Sequence, residues 1–379
     1  MIAPRRIRVL VVDDSAVVRR AISDALSRDP EIEVVGTACD PYVARDKILQ
    51  LQPDVLTLDI EMPRMDGLTF LRILQKHRPM PVVIVSSMTQ AGSKAAVDAL
   101  AAGAVDVIAK PTSAWSLGHQ RDALVQCVKG AARARLVNLV SAPASERSAA
   151  QGVDCASFDS RQIVVIGAST GGTEAIKSVL TRLPGGLPGI CIVQHIPPCF
   201  SKAFAERLND CCAMEVREAA HGDDVRPGVA LIAPGDYHMA LAPNGGGYRV
   251  FLNQDPPRHY TRPSVDVLFD SAAGCARSHA VSVLLTGMGS DGAPGMKALK
   301  ESGAATIAQN EETCVVYGMP RAAVELGVVD YVLPLGGIPD GILRALCDGA
   351  ASCRSRRPAG LSSATNSETV KPNLQSNHC

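Results

Sequence analysis

Short apolar runs alternate along this chain with longer stretches whose apolar positions recur every three or four residues. Arg8–Asp13 (RVLVVD) reads as a buried strand. Ser15 is placed to cap a following helix that carries Val17, Val18, Ala21, Ile22, Ala25 and Leu26 on one face. Glu33–Ala38 is a second strand, and Asp40-Pro41 starts the next helix with an N-cap followed by proline at the first helical position. Asp54–Asp59, Pro81–Ser86 and Val105–Ala109 read as strands three to five, with helices between them and after the last. Five strand-helix units in a row imply a parallel sheet covered on both faces.

Between Gly130 and Ser160 the periodicity fades into alanine, serine and arginine, which reads as the end of a helix running into a flexible linker. The alternation resumes at Arg161. Ile163–Ile166, Ile190–Gln194, Val229–Ala233, Ala280–Thr286 and Ala305–Gln309 are predicted strands, and Tyr237–Leu252, broken at Asn244-Gly245-Gly246-Gly247, is a predicted β-hairpin. The expected organisation is therefore an α/β domain over residues 1–130, a linker over 131–160, a second, doubly wound α/β domain over 161–350, and a disordered tail over 351–379 rich in serine, asparagine and arginine.

The 379 residues suffice for two such cores. Thirty-eight basic residues balance 38 acidic ones, which argues against nucleic acid as the main partner. No apolar run approaches the roughly 20 residues that span a bilayer. The apolar stretch Val9–Val12 is interrupted at once by Asp13 and Asp14, unlike a signal peptide. The expected location is the cytoplasm, with no membrane insertion. The 12 cysteines include no C-x-x-C pair, so neither a zinc site nor a disulfide framework is indicated.

In an open parallel sheet, functional groups gather at the carboxyl ends of the strands. Asp13 and Asp14 end the first predicted strand, Asp59 the third and Ser86 the fourth, while Lys110 follows the fifth. Three carboxylates at one edge repel one another unless a hard cation such as Mg²⁺ sits among them. A lysine and a hydroxyl beside them suit an added phosphoryl group. Covalent phosphorylation of an aspartate is the chemistry this implies, with Asp59 the central candidate. Val11-Val12-Asp13-Asp14-Ser15, the run from Leu58 through Asp59 to Gly67, and Lys110-Pro111 resemble the response-regulator receiver, a flavodoxin-like fold, over about residues 5–130. That resemblance implies Asp59 as phosphoacceptor, Asp13, Asp14 and Asp59 around Mg²⁺, Ser86 as switch hydroxyl and Lys110 as phosphate partner. One departure is Val107, which stands where many receivers carry an aromatic switch residue.

The second half offers a different chemistry. Gln162–Ile166 leads into Gly167-Ala168-Ser169-Thr170-Gly171-Gly172 and then a helix, the strand-turn-helix setting of a G-x-S-x-G nucleophile. The next strand ends at His195, and a third leads to Asp291, so a serine, a base and an acid fall on one edge. Three other readings compete. The glycine-rich turn resembles a dinucleotide loop, but that fingerprint wants an acid after the next strand, where Gln194-His195 stand. His195 has a structural reading. Cys191 and Cys199 are alternative nucleophiles, the first inside an apolar strand and the second without a comparable turn. The remaining histidines show no metal-ligand spacing.

Gly167–Ala175, Gln194-His195, Arg262-Pro263-Ser264-Val265-Asp266 and Thr286–Gly292 together resemble the CheB chemotaxis methylesterase family over about residues 160–348. The resemblance implies Ser169 as nucleophile, His195 as general base and Asp291 as its orienter, with backbone N–H groups near Thr170 and Met288 as oxyanion donors and no cofactor in this half. Arg262 is left between substrate positioning and a structural role. The implied activity is demethylation of glutamate γ-methyl esters, with glutamine deamidation, on methyl-accepting chemoreceptors. A chemotaxis histidine kinase would be the phosphodonor, and the unphosphorylated receiver would lie across the serine. A non-catalytic phospho-switch adaptor and a methylesterase of a non-chemotaxis pathway remain alternatives.

Overall fold

The computed structural model describes residues 5–110, 118–136 and 158–355. Pro111, residues 137–157 of the expected 131–160 linker and residues 356–379 of the expected 351–379 tail lie outside the described residues.

The first sheet is built from β1 (Ile7–Val12), β2 (Ile32–Ala38), β3 (Val55–Asp59), β4 (Val82–Ser86) and β5 (Asp106–Ala109). It is fully parallel, in the order β2-β1-β3-β4-β5, which puts Asp59 at the end of the central strand. β3 and β4 are buried on both faces, as largely apolar strands under helical cover must be. The helices are α1 (Ala16–Leu26), α2 (Pro41–Leu51), α3 (Gly67–His77), α4 (Gln90–Ala101) and α5 (Gly118–Ala132). Ser15 caps α1 by accepting from Val18 N, and Asp40 caps α2 by accepting from Tyr42 N and Val43 N, contacts of the kind that contribute about 1 kcal/mol each.

The second sheet has seven parallel strands. β6 (Ile163–Ala168), β7 (Ile190–Gln194), β8 (Glu215–Glu218), β10 (Val229–Ile232), β13 (Ala280–Leu284), β14 (Ala305–Gln309) and β15 (Tyr331–Leu333) lie in the order β15-β14-β13-β6-β7-β10-β8. The chain runs outward from β6 through β7 on one side, then returns to β13 on the other. The strand order therefore reverses between β6 and β13, and the crevice at such a switch point is where open α/β sheets bind ligands. The predicted hairpin forms as β11 (His238–Asn244) and β12 (Gly247–Asn253), with β9 (Asp224–Val225) added at its edge.

Three short strands escaped the pattern: β8, β9 and β15. β8 reads Glu-Val-Arg-Glu and buries only its valine, because an edge strand carries charges that block further pairing. A second correction concerns the tail. The last helix, Ile338–Ser355, runs through residues 351–355, a stretch opening with Ala350-Ala351 that favours helix over coil.

The two domains pack against each other through helices. α4 lies on α7 (Phe200–Asn209), where Arg207 pairs with Asp98. Past the end of α5, Arg135 pairs with Glu311 at 2.8 Å and its backbone N–H donates to the Val315 carbonyl.

Candidate functional sites

On the first sheet, Asp13 and Asp59 are fully buried and Asp14 is exposed. Ligand oxygens of the three lie within 4.8 Å of one another. Lys110 Nζ donates to Asp59 Oδ2 at 2.7 Å and stands 3.7 Å from Asp13 Oδ2. Burial pushes the Asp59 carboxyl up to about 6, against the opposing pull of Lys110. Burial also raises Asp13, although the Ser15 N–H and Lys110 work the other way. Asp13 Oδ2 is left buried without a hydrogen-bond donor. An orphaned anionic oxygen beside two further carboxylates suits a hard divalent cation, so these residues fit Mg²⁺. Ser86 is buried at the end of β4, but its hydroxyl donates to the Gly92 carbonyl at 3.0 Å. Val107 is buried on β5.

On the second sheet, β6 leads through Ser169 into α6 (Gly172–Leu180). Gly171 takes φ 75°, the left-handed region that lets the chain turn tightly into the helix. The loop is pinned from several sides. Ser169 N donates to the Thr286 carbonyl, Gly172 N and Gln194 Nε2 both donate to the Ser169 carbonyl, and Thr286 Oγ1 donates to the Thr170 carbonyl. The Ser169 side chain stays partly exposed, and among the described residues its hydroxyl makes no hydrogen bond.

His195, at the end of β7, places Nε2 2.8 Å from Asp291 Oδ2. Thr261 Oγ1 is 3.4 Å from the same nitrogen, which leaves Nδ1 for another partner. Asp291 is buried and saturated with donors: Ser264 Oγ at 2.8 Å, Val265 N at 2.7 Å and Asp266 N at 3.0 Å. Burial alone would raise its carboxyl, but His195 and these N–H groups outweigh it and hold the carboxyl well below the usual carboxylate range. An ionised Asp291 in turn keeps the proton on Nε2.

The N–H groups of Thr170 and Met288 make no hydrogen bonds within the described residues. Arg262 directs its guanidinium at Asp236 and at the carbonyls of Gln254 and Asp255, which is the structural option of the two left open. Cys191 is buried and its thiol is pushed up by that burial. Cys199 needs a correction. It does stand on a sharp turn, with φ 70° at the start of α7, and it lines the same cleft as Ser169. Among the described residues it has no hydrogen-bonded base.

The sequence also missed a bracket behind the site. His259 Nε2 sits 2.9 Å from Asp266 Oδ2, and Asp266 Oδ1 accepts from Gly292 N and Gly295 N. His259, Asp266 and Asp291 bring their ligand atoms within 4.8 Å of one another, although their spacing in the chain gave no sign of it. Every carboxylate oxygen in this group already has a donor, so it fixes the loop that carries Asp291. The Ser264 hydroxyl does the same. The RPSVD motif hinted at both, but only through its neighbours in space.

A cleft of about 1080 Å³ opens on Ser169, His195, Met288 and Asp291, and it is also lined from the first domain by Asp106 and Val107 of β5, Met88 after β4 and Cys127 of α5. Across it Thr170 Oγ1 donates to Asp106 Oδ2 at 2.9 Å.

Two sheets so arranged belong to the class of response regulators whose effector is an α/β enzyme domain. Residues 9–120 match the family described as response regulator receiver domain, and residues 164–342 match the family described as CheB methylesterase. A Syntrophus aciditrophicus protein named protein-glutamate methylesterase/protein-glutamine glutaminase 2 is 52% identical over 339 residues, 89% of this chain and 99% of that one. An Anaeromyxobacter dehalogenans relative of the same name, numbered 4, is 52% identical over 341 residues, 90% of this chain and 95% of its own. The crystal structure of the Thermotoga maritima CheB methylesterase catalytic domain is 42% identical, covers 48% of this chain and 97% of its own, and superposes with a TM-score of 0.48. The chain belongs to the CheB protein-glutamate methylesterase family. Among the described residues, no helix is long and apolar enough to cross a membrane.

Proposed function

We propose that this protein is a phosphorylation-regulated serine hydrolase that demethylates glutamate γ-methyl esters, and deamidates glutamines, on chemoreceptors. The observation that carries the reading is the buried, donor-saturated Asp291 held 2.8 Å from His195 Nε2 beside the free hydroxyl of Ser169, at the switch point of the second sheet. His195 Nδ1 takes the Ser169 proton as Oγ attacks the ester carbonyl, and Asp291 orients the imidazolium that results. Negative charge on the tetrahedral carbonyl oxygen falls to the N–H groups of Thr170 and Met288, each typically contributing about 2.7–4 kcal/mol. The intermediate collapses as His195 protonates the leaving methoxide, which departs as methanol. Water then attacks the acyl-serine by the same route and releases glutamate. With a glutamine the leaving group is ammonia.

Asp59 is the phosphoacceptor in this reading. Asp13, Asp14 and Asp59 would hold Mg²⁺, which supplies neutralising charge at the phosphorylated carboxyl. Lys110 pairs with the phosphoryl oxygens, and the Ser86 hydroxyl leaves Gly92 to join them. A chemotaxis histidine kinase supplies the phosphoryl group, and no nucleic acid takes part. The domains divide near residues 130 and 160.

The test is methanol release from methylated chemoreceptor membranes. The reading expects release by the wild type that falls by at least about 10⁴-fold in Ser169→Ala, as loss of a nucleophile does. Undiminished cellular signalling by Ser169→Ala would favour the non-catalytic adaptor instead. A chain that demethylates only receptors outside chemotaxis would favour the third reading.

A further inference from the structure

We propose that Gln194 is a positioning residue for the hydrolase site: its side-chain amide ties the Ser169 backbone to the His195 backbone and so sets the distance between nucleophile and base. This rests on the hydrolase reading above and deepens it.

β6 and β7 run in register up to the pair Ala168 and Gln194, and the ladder closes with His195 N donating to the Ala168 carbonyl at 3.1 Å. Past that bond the two chains part, one into α6 and the other into the loop before α7. Ser169 and His195 stand at the split, beyond the paired strands. Gln194 Nε2 bridges them, donating to the Ser169 carbonyl at 2.9 Å and to the His195 carbonyl at 3.1 Å. Both acceptors are carbonyls, so the amide has one workable orientation. Turned over, its own oxygen would face two others.

That orientation has a cost. Gln194 is buried, and its Oε1 has no hydrogen-bond partner within the described residues. A buried acceptor without a donor is destabilising, and an apolar side chain of the same length would avoid it. The chain also makes room for the amide, since a Cβ on Gly172 would stand 2.1 Å from Oε1. The titratable groups on the elements that meet here are engaged elsewhere, His195 with Asp291 and Glu174 of α6 with Lys177. A polar group held at a loss to stability, with its N–H bonds spent on the two reacting residues, points to alignment. Proton transfer needs donor and acceptor within about 2.6–3.2 Å, and a misplacement of about 1 Å costs roughly a hundredfold in rate.

The test compares full-length wild type, Gln194→Met and Gln194→Glu, with acetyl phosphate and Mg²⁺ held constant. The readout is methanol release from methylated chemoreceptor membranes, with Ser169→Ala as the blank. Gln194→Met keeps the length and removes the donor. Its kcat should fall by about 10- to 100-fold with KM within about twofold, and the deficit against wild type should not vary with pH. In Gln194→Glu the protonated carboxyl restores one O–H donor, whereas the ionised form turns bare oxygens on both carbonyls. Burial raises such a carboxyl above its ordinary value. The Gln194→Glu deficit should therefore equal or exceed that of Gln194→Met at about pH 8 and shrink at least about fivefold by about pH 5. If Gln194→Met is too unstable to assay, Gln194→Glu carries the test alone. Wild-type kcat in Gln194→Met, or a loss confined to KM, overturns the proposal. So does a Gln194→Glu deficit that is constant with pH, which a merely structural role would give. A wild type with no Ser169-dependent release at any pH brings down the hydrolase reading itself.

Discussion

Asp59 ends a strand of one parallel sheet and Asp291 stands in the loop after a strand of the other; both are buried, yet they are opposites. Burial dominates at Asp59, whose carboxyl is pushed up to about 6, and its neighbour Asp13 keeps an oxygen with no donor. At Asp291 every lone pair direction is met from within the chain, and the carboxyl is held low. At the first site the chain itself supplies no hydrogen-bond donor for one buried carboxylate oxygen. The second is finished, with its acid fixed before any substrate arrives. Regulation by a transferable group suits a carboxylate site whose charge the chain does not fully compensate, and acyl transfer suits a preorganised one.

The comparison can be broken most severely at Asp291. Asp291→Asn should lower kcat for ester hydrolysis by about 10⁴-fold, the scale seen when a triad acid loses control of the histidine tautomer. The ratio of stimulated to unstimulated rate should survive, because the first sheet is untouched. Removing Mg²⁺ with EDTA probes the other side. Stimulation of receptor demethylation by acetyl phosphate, at least about tenfold, should vanish while the unstimulated rate stays within about twofold.

Ser264→Ala removes one donor from a charged acceptor, an interaction of about 1.5–3 kcal/mol. A loss of about tenfold in kcat with little change in KM is expected, along with a shifted pH-rate profile that a merely structural loss would not produce. Stability sharpens the same point. The native Asp291 carboxyl titrates below its unfolded value near 3.9. The unfolded chain therefore takes up the proton first, and the stabilisation present at neutral pH is lost as the pH falls from the unfolded value toward the depressed native one. The Tm difference between wild type and Asp291→Asn should shrink on acidification. The smallest effect belongs to Asp106→Ala, which cuts the bond to Thr170 and should raise unstimulated receptor demethylation by a few-fold, read as methanol release.

What could be read from the chain followed from its periods. Strand ends fall where apolar runs stop, so Asp13, Asp59, Ser86, Ser169 and His195 could be placed at the correct sheet edges without coordinates. Ser15 and Asp40 announced their helices by cap chemistry. Contacts between distant segments have no such period. Ser264 reaches Asp291 across 27 residues and Thr170 meets Asp106 across 64, so neither bond left a local mark. Cys199 looked like loop because its left-handed backbone is not carried by a glycine. The short edge strands were hidden by the charges that keep them edges.

The central claim is that the acid site on one sheet controls the preorganised hydrolase site on the other. The most direct measurement is the stimulation of receptor demethylation by acetyl phosphate and Mg²⁺ in wild type and Asp59→Asn. The account predicts stimulation of at least about tenfold in the wild type and none in Asp59→Asn, with equal unstimulated rates. Full stimulation in Asp59→Asn would contradict it.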